Sequence, residues 1–131
     1  MKKQVLFALA LVALPATSRA ERKVQGSEQF LTYDCAEDDT LTILGSQNFV
    51  TITGDCKQVT VSGAENHLTM ALAVAISVPG RQNWIKVDAT DSIHASGTQN
   101  WIEYRRSVTP KKRTEVSSTG RENVIRKAGG Q

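Results

Sequence analysis

The stretch Val59-Thr60-Val61-Ser62-Gly63-Ala64-Glu65-Asn66-His67-Leu68 decides how this chain folds. Apolar and polar side chains alternate on both sides of its Gly-x-x-Asn turn, which is the pattern of half-buried strands. The same phrase, in which Asn is followed by one variable residue and then by Val, Ile or Leu, starts at Gly45, Gly63, Gly80, Gly97 and Gly120. A weaker copy, with Gln29 in place of Asn, starts at Gly26. Successive glycines are 19, 18, 17, 17 and 23 residues apart, a spacing typical of stacked repeats.

These repeats predict an all-β fold, a small right-handed parallel β-solenoid of about six coils with 17–19 residues each. In each coil a turn joins two short strands, and we expect its glycine to adopt a positive φ that Asn also tolerates. The alternation also fits an antiparallel β-sandwich or barrel of hairpins, which remains the alternative. The even spacing favours the solenoid.

The asparagine of each repeat has the same parity as the apolar residues two and four positions later. We therefore expect it to point inward, and a buried amide needs hydrogen-bond partners. In stacked coils those partners are backbone groups and the neighbouring amides, which predicts a structural ladder. Its members are Asn48, Asn66, Asn83, Asn100 and Asn123.

The first twenty residues predict a secretory signal peptide, residues 1–20. Lys2 and Lys3 precede a short apolar run, and Ser18-Arg19-Ala20 places small residues at the two positions that a signal peptidase reads. The apolar run is too short to span a bilayer. We expect cleavage after Ala20, a periplasmic or secreted protein, and no transmembrane segment after cleavage.

Charge is distributed unevenly along the chain. The sequence has 16 Lys and Arg residues and 13 Asp and Glu residues, and three of the basic ones lie in the predicted signal peptide. Residues 21–104 carry 5 basic and 11 acidic residues, whereas residues 105–131 carry 8 and 2. We therefore expect one solenoid domain over residues 21–131, with a basic loop at 105–113 and a basic C-terminal tail. Such a dipolar chain can orient toward a charged surface or partner.

Cys35 and Cys56 are the two cysteines of the chain. They lie 9 and 11 residues after the glycines of successive repeats, so stacking brings them to nearly the same point of neighbouring coils. In an oxidising compartment this arrangement predicts a disulfide. The alternatives are two free thiols or a metal pair, and two ligands alone make a poor zinc site.

Three segments carry a resemblance to a known family. They are Ile52-Thr53-Gly54-Asp55-Cys56, then Val59 to Gly63 with Asn66, and then Asp91 to Gly97 with Asn100. With these motifs the chain resembles domain-of-unknown-function family 3060, small exported bacterial β-repeat proteins, over residues 26–127. The resemblance implies secretion and a β-repeat fold. It implies no activity, so it assigns no functional residues.

The residue that follows each repeat asparagine has outward parity and is usually aromatic. In a solenoid these residues form one exposed column, and contiguous exposed aromatic patches mark interaction sites. The candidate binding residues are Phe49, His67, Trp84 and Trp101, with Phe30 before them and Val124 after them. The alternative is that the column stiffens the sheet through cross-strand pairs.

A second candidate is the basic patch within the long 23-residue step between Gly97 and Gly120. It comprises Arg105, Arg106, Lys111, Lys112 and Arg113. Such a patch suits anionic lipid headgroups, phosphorylated glycans or an acidic protein, and the alternative is a solvated loop. We expect no nucleic-acid partner, because the chain is predicted to be exported and carries no standard binding motif.

Catalytic signatures are not apparent in the sequence. His67 and His94 lie on different strands, nearby Asp88 and Asp91 lack a metal-ligand spacing, and no nucleophile elbow or phosphate loop occurs. We predict a non-enzymatic exported β-solenoid that binds an envelope glycan or a partner protein, with no catalytic residues, cofactor or metal. The alternative is a self-associating structural envelope protein, and an enzyme acting on glycans is the last candidate.

Overall fold

The computed structural model describes residues 21–128, apart from the side chains of residues 21 and 36–38, as an all-β chain. The predicted signal peptide lies outside the described residues. Eight strands form in chain order: β1 (Glu21–Val24), β2 (Phe30–Ile43), β3 (Phe49–Val61), β4 (His67–Val78), β5 (Trp84–Ala95), β6 (Trp101–Arg106), β7 (Glu115–Ser118) and β8 (Val124–Lys127).

Every pairing between these strands is parallel. Each strand pairs with the next, except that β7 returns to β5 while β8 pairs with β6. A parallel sheet in which each strand stacks on the one before it is a β-solenoid, so the predicted fold class is confirmed and the hairpin alternative is wrong.

The solenoid makes about five turns, compared with the six that the repeat count suggests. The first strand residue after each turn shows why. These residues are paired in succession from coil to coil: Phe30, Phe49, His67, Trp84, Trp101 and Val124. Those five steps are five coils. β1 and β8 are partial coils at the two ends, so the first and last copies of the phrase do not each add a complete turn.

Apolar columns fill the interior, one column for each inward position of the coil. Leu41, Val59, Ile76 and Ile93 form one such column, and each is 2% exposed or less. Burying an aliphatic side chain of this size stabilises the fold by about 1.5–3 kcal/mol. The strict inward and outward alternation therefore fixes the register of every coil, because a slip by one residue would expose a whole column.

The repeat glycines have a different role from the one expected from the sequence. The positive φ falls on the Gln or Glu just before the asparagine, for example 56° at Gln47 and 57° at Glu65, and the repeat glycines are not in that region. A Cβ on Gly63 would instead come closer than 3.0 Å to the carbonyl oxygen of Gly45 in the preceding coil. The same contact recurs from coil to coil, so glycine is required by close backbone approach.

The asparagines form a continuous hydrogen-bonded ladder inside the turn. Asn66 shows its unit: the side-chain Nδ2 donates to the carbonyl oxygen of Gly45 at 2.9 Å, and Oδ1 accepts from the backbone N–H of Asn48 at 3.0 Å. The equivalent amides at 48, 83, 100 and 123 make the same bonds. Asn48, Asn66, Asn83 and Asn100 are at most 2% exposed. The ladder thus satisfies turn groups that would otherwise be buried without partners.

A disulfide joins Cys35 to Cys56, as predicted, with Cα atoms 5.1 Å apart. Cys35 is in register with Gly54 rather than with Cys56, and the register shifts after Cys35, so that Asp39 is the residue paired with Cys56. With the cysteines 21 positions apart in the sequence, chain-entropy arguments give about 3 kcal/mol of stabilisation.

Candidate functional site

A column of stacked rings runs along the outer side of the strand segments that follow the turns. The centroid distances are 4.9 Å for Phe30–Phe49, 5.1 Å for Phe49–His67, 4.1 Å for His67–Trp84 and 5.0 Å for Trp84–Trp101. Parallel in-register pairing places each ring one strand spacing from the next. Val124 is in register with Trp101 and ends the column.

The stacking leaves mainly ring edges to solvent. Phe30 is 80% exposed and Phe49 is 47% exposed, whereas His67, Trp84 and Trp101 are half-buried. Stacked pairs of this kind contribute about 0.5–1.5 kcal/mol each beyond area burial. The column therefore contributes to the stability of the coil stack. Phe30 and Trp101, at its two ends, each stack on one ring only among residues 21–128, and Val124 lies in register beyond Trp101.

An open groove lies beside the middle of this column. It has a volume of about 490 Å³ and is lined by Thr69, Trp84, Lys86, Asp88, Glu103 and Arg105, among others. Lys86 Nζ lies 5.4 Å from the centroid of the Trp84 ring, within the range of a cation–π contact. The groove thus places an aromatic edge beside acidic and basic side chains.

Two ion-pair clusters organise the charged side of the groove. Glu103 lies between Lys86 and Arg126, at 3.9 and 4.0 Å. Asp88 lies between Arg105 and Arg106, at 3.3 and 3.1 Å. These pairs connect neighbouring coils on the surface, where each contributes little to stability, but together they hold the charged groups in fixed positions.

The predicted basic patch divides into two parts. Arg105 and Arg106 belong to the end of β6 and pair with Asp88. Lys111, Lys112 and Arg113 are exposed in the loop of residues 107–114 that joins β6 to β7. The loop therefore begins two residues later than the sequence suggested.

Asp91 anchors that loop from the adjacent strand β5. Its Oδ1 accepts from the backbone N–H groups of Val108 at 2.7 Å and Thr109 at 3.0 Å, and its Oδ2 accepts from the Thr109 hydroxyl at 2.7 Å. These hydrogen bonds, with the Thr109 hydroxyl the largest cause, hold the pKa of the Asp91 carboxyl below its ordinary value. The loop is consequently fixed to the solenoid at pH 7.

Sequence reasoning singled out Asp91 only as a residue without metal-ligand spacing, and it missed this anchoring role. A usable signal was present in the sequence. Asp91 lies in the repeat just before the long 23-residue step from Gly97 to Gly120, where an inserted loop must be attached. Across residues 21–128, no three His, Cys, Asp or Glu side chains are grouped so that they could hold a metal ion. In the same part of the chain, no helix is long and apolar enough to cross a membrane.

These features define a class of protein: a small parallel β-solenoid whose coils are joined by an asparagine ladder and a disulfide, with a ring column on its outer face. The chain belongs to the DUF3060 family, described as proteins of unknown function, whose sequence pattern matches residues 43–79 and 73–122. The two matches together span residues 43–122, which is more than half of the chain, and the resemblance noted from the sequence is confirmed. Comparisons with curated proteins and with solved structures gave no match.

Proposed function

We propose that this protein is a non-enzymatic binding module that recognises an envelope glycan through the groove beside Trp84. The observation that carries the proposal is the composition of that groove, which places Trp84 next to Lys86, Asp88, Glu103 and Arg105. Binding sites for polar ligands combine aromatic surface with a few well-placed polar groups. Carboxylates and cations beside an aromatic edge suit the hydroxyl groups of a sugar.

The stacking of the column supports one mode of glycan contact over another. Trp84 stacks on Trp101 on one side and meets His67 at an interplanar angle of 40° on the other, with Lys86 Nζ 5.4 Å from its centroid, so little of its ring faces is free for a sugar. A sugar in the groove would therefore bind through hydrogen bonds to Asp88 and Glu103 and through the indole edge. Face-on stacking of a sugar suits Phe30 at the end of the column.

Tryptophan fluorescence tests the proposal, because both tryptophans of the chain lie in the column. Titration with soluble cell-wall glycan fragments should change the emission of the wild type, and Glu103→Gln should weaken the response about tenfold. Glu115→Gln is the matched control, because Glu115 is an exposed carboxylate on β7 that does not line the groove. An unchanged emission with every fragment, or equal losses in both variants, would contradict glycan binding. A response only to an envelope protein extract would replace the glycan with a protein partner.

Self-association is the second candidate, and the ends of the solenoid support it in part. Within residues 21–128, no strand pairs with the outer edge of Phe30–Cys35 or with that of β8. Unpaired edges of this kind favour pairing with another chain. However, Arg22 and Lys127 have inward parity at the two ends, in register with Leu41 and Tyr104, and these cations oppose stacking of a second copy.

A further inference from the structure

The second cavity of interest lies at the C-terminal mouth of the solenoid, away from the groove beside Trp84. Its volume is about 350 Å³, and its lining includes Tyr104, Arg106, Lys112, Arg113, Thr114 and Lys127. Four of the eight residues that line the cavity are cations, and none of the eight is a carboxylate. The cavity therefore concentrates positive charge in a concave space.

The register explains why the cavity forms at this end. Tyr104 is paired with Val87, which is buried in the core, and Lys127 is paired with Tyr104. Both residues thus have inward parity, at the position where β3, β4 and β5 have the apolar side chains of Ile52, Met70 and Val87. A polar ring and a cation at these positions leave the mouth of the last coil open and polar.

The backbone of the loop that carries these cations is held in place by hydrogen bonds. The Ser107 hydroxyl donates to the carbonyl oxygen of Lys112 at 2.6 Å, and the Thr114 hydroxyl donates to the carbonyl oxygen of Thr90 at 2.7 Å. Asp91 fixes the start of the loop through Val108 and Thr109. Lys112 and Arg113 are therefore presented from a loop that is attached at both ends.

The charges around the cavity are only partly compensated. Arg106 is paired with Asp88 at 3.1 Å, and Asp91 interacts electrostatically with Lys112. Arg113 and Lys127 take part in no salt bridge within residues 21–128. A multiply charged anion would gain from each of these cations, and Arg in particular matches phosphoryl oxygens with paired N–H donors.

We propose that this cavity is a binding site for a phosphoryl group that carries more than one negative charge, as in a diphosphate or a phosphorylated headgroup. Arg113 and Arg106 bind the phosphoryl oxygens, Lys112 and Lys127 supply further positive charge, and the Tyr104 hydroxyl is available as a donor. This site goes beyond the glycan groove and does not depend on it.

Calorimetric titration with inorganic pyrophosphate tests the site in the protein expressed from its full coding sequence. We expect measurable binding to the wild type and at least a tenfold loss in the double variant Lys112→Gln/Arg113→Gln. The matched control is Lys57→Gln/Arg81→Gln, which removes the same charge from exposed positions elsewhere on the solenoid. Absence of binding to the wild type, or equal losses in the two double variants, would overturn the proposal.

Asp91→Ala, which removes the acceptors that hold the loop, distinguishes a site built by the anchored loop from diffuse electrostatic attraction. This variant makes the protein more positive, so a diffuse basic surface would bind pyrophosphate more tightly. A site that depends on the anchored loop would bind it less tightly, and we expect a loss of several fold. Tighter binding of pyrophosphate by Asp91→Ala would overturn the proposal.

Vesicles distinguish the two sources of the phosphoryl group. The protein is sedimented with vesicles that contain phosphatidic acid and with pure phosphatidylcholine vesicles. Binding to the first type only, abolished by Lys112→Gln/Arg113→Gln, would assign the site to a membrane headgroup. Binding of pyrophosphate without binding to these vesicles would assign the site to a soluble or glycan-borne phosphate. Either result supports the phosphoryl site, whereas equal binding of both vesicle types with no pyrophosphate binding contradicts it.

Discussion

Each repeat turn depends on two residues with separate constraints. The glycine is needed because the backbone of one coil passes directly over the carbonyl oxygen of the glycine below, and the Gln or Glu two positions later takes the positive φ. A non-glycine residue at positive φ is uncommon and costs free energy. The ladder therefore holds these residues in the left-handed region, coil after coil.

Substitution of Gly63 distinguishes two reasons why glycine could be required: the close approach of neighbouring backbones, or a positive φ. We expect Gly63→Ala and Gly63→Asn to lower the free energy of unfolding by about 3 kcal/mol or more, because any Cβ meets the Gly45 carbonyl oxygen. If the glycine were needed for a positive φ, Asn would be tolerated much better than Ala. Urea unfolding of both variants measures the difference, and a well-tolerated Gly63→Asn would contradict the steric explanation.

The asparagine ladder predicts that replacing an asparagine lowers the free energy of unfolding more where its side chain is more deeply buried. Asn66→Ala removes the partner of the Asn48 N–H and one donor to the Gly45 carbonyl oxygen. Buried groups left unpaired cost about 1–3 kcal/mol each, so we expect a loss of about 2–4 kcal/mol. Asn123→Ala is the comparison, because Asn123 is half-buried at the end of the ladder and water can replace its bonds. Equal losses at the two positions in urea unfolding would contradict this view.

At the scale of strands and loops, the repeats predicted the regular features and missed the irregular ones. Alternation and spacing identified the parallel coils and the inward asparagines, which repeat along the chain. They also identified the disulfide, because its two cysteines stand at nearly the same point of successive repeats. The register shift after Cys35, the anchoring of the inserted loop by Asp91 and the inward position of Lys127 each occur at one place. A single occurrence gives no periodic signal, and its contacts depend on the three-dimensional arrangement of the loop.

The loop anchor predicts a dependence on pH. The pKa of Asp91 is lower in the folded protein than its ordinary value of about 4. The hydrogen bonds to Val108 and Thr109 therefore stabilise the folded loop fully above that value. This stabilisation is lost as the pH falls through the pKa of Asp91 in the folded protein. We expect the loop to be held at pH 7 and released in strong acid.

Limited proteolysis at neutral pH tests the same anchor in a protein in which Asp91 has been replaced. Asp91→Ala should increase the rate of tryptic cleavage after Lys111, Lys112 or Arg113 several fold, because the loop loses its attachment while the rest of the solenoid stays folded. Asp55→Ala is the control, since Asp55 is exposed on a different part of the coil. Identical cleavage rates in the two variants would show that Asp91 does not hold the loop.

At the scale of the whole molecule, a solenoid must prevent its two ends from joining. Within residues 21–128, the outer edges of β1 and Phe30–Cys35 are unpaired at one end and those of β7 and β8 at the other, so a second copy could continue the stack. Arg22 is in register with the buried Leu41, and Lys127 is in register with Tyr104. Stacking would bury both cations in the core, and burial of an unpaired charge is strongly unfavourable.

Removal of these two cations should therefore promote end-to-end association. We expect Arg22→Leu/Lys127→Leu to form larger species that grow with protein concentration in sedimentation velocity, because apolar side chains then extend the core to both edges. The control Lys23→Leu/Arg126→Leu makes the same change at outward positions, which are in register with Thr42 and Glu103. It should sediment like the wild type, since the core at the ends is unchanged. Association of the wild type itself, or equal association of both variants, would mean that the inward cations do not control stacking.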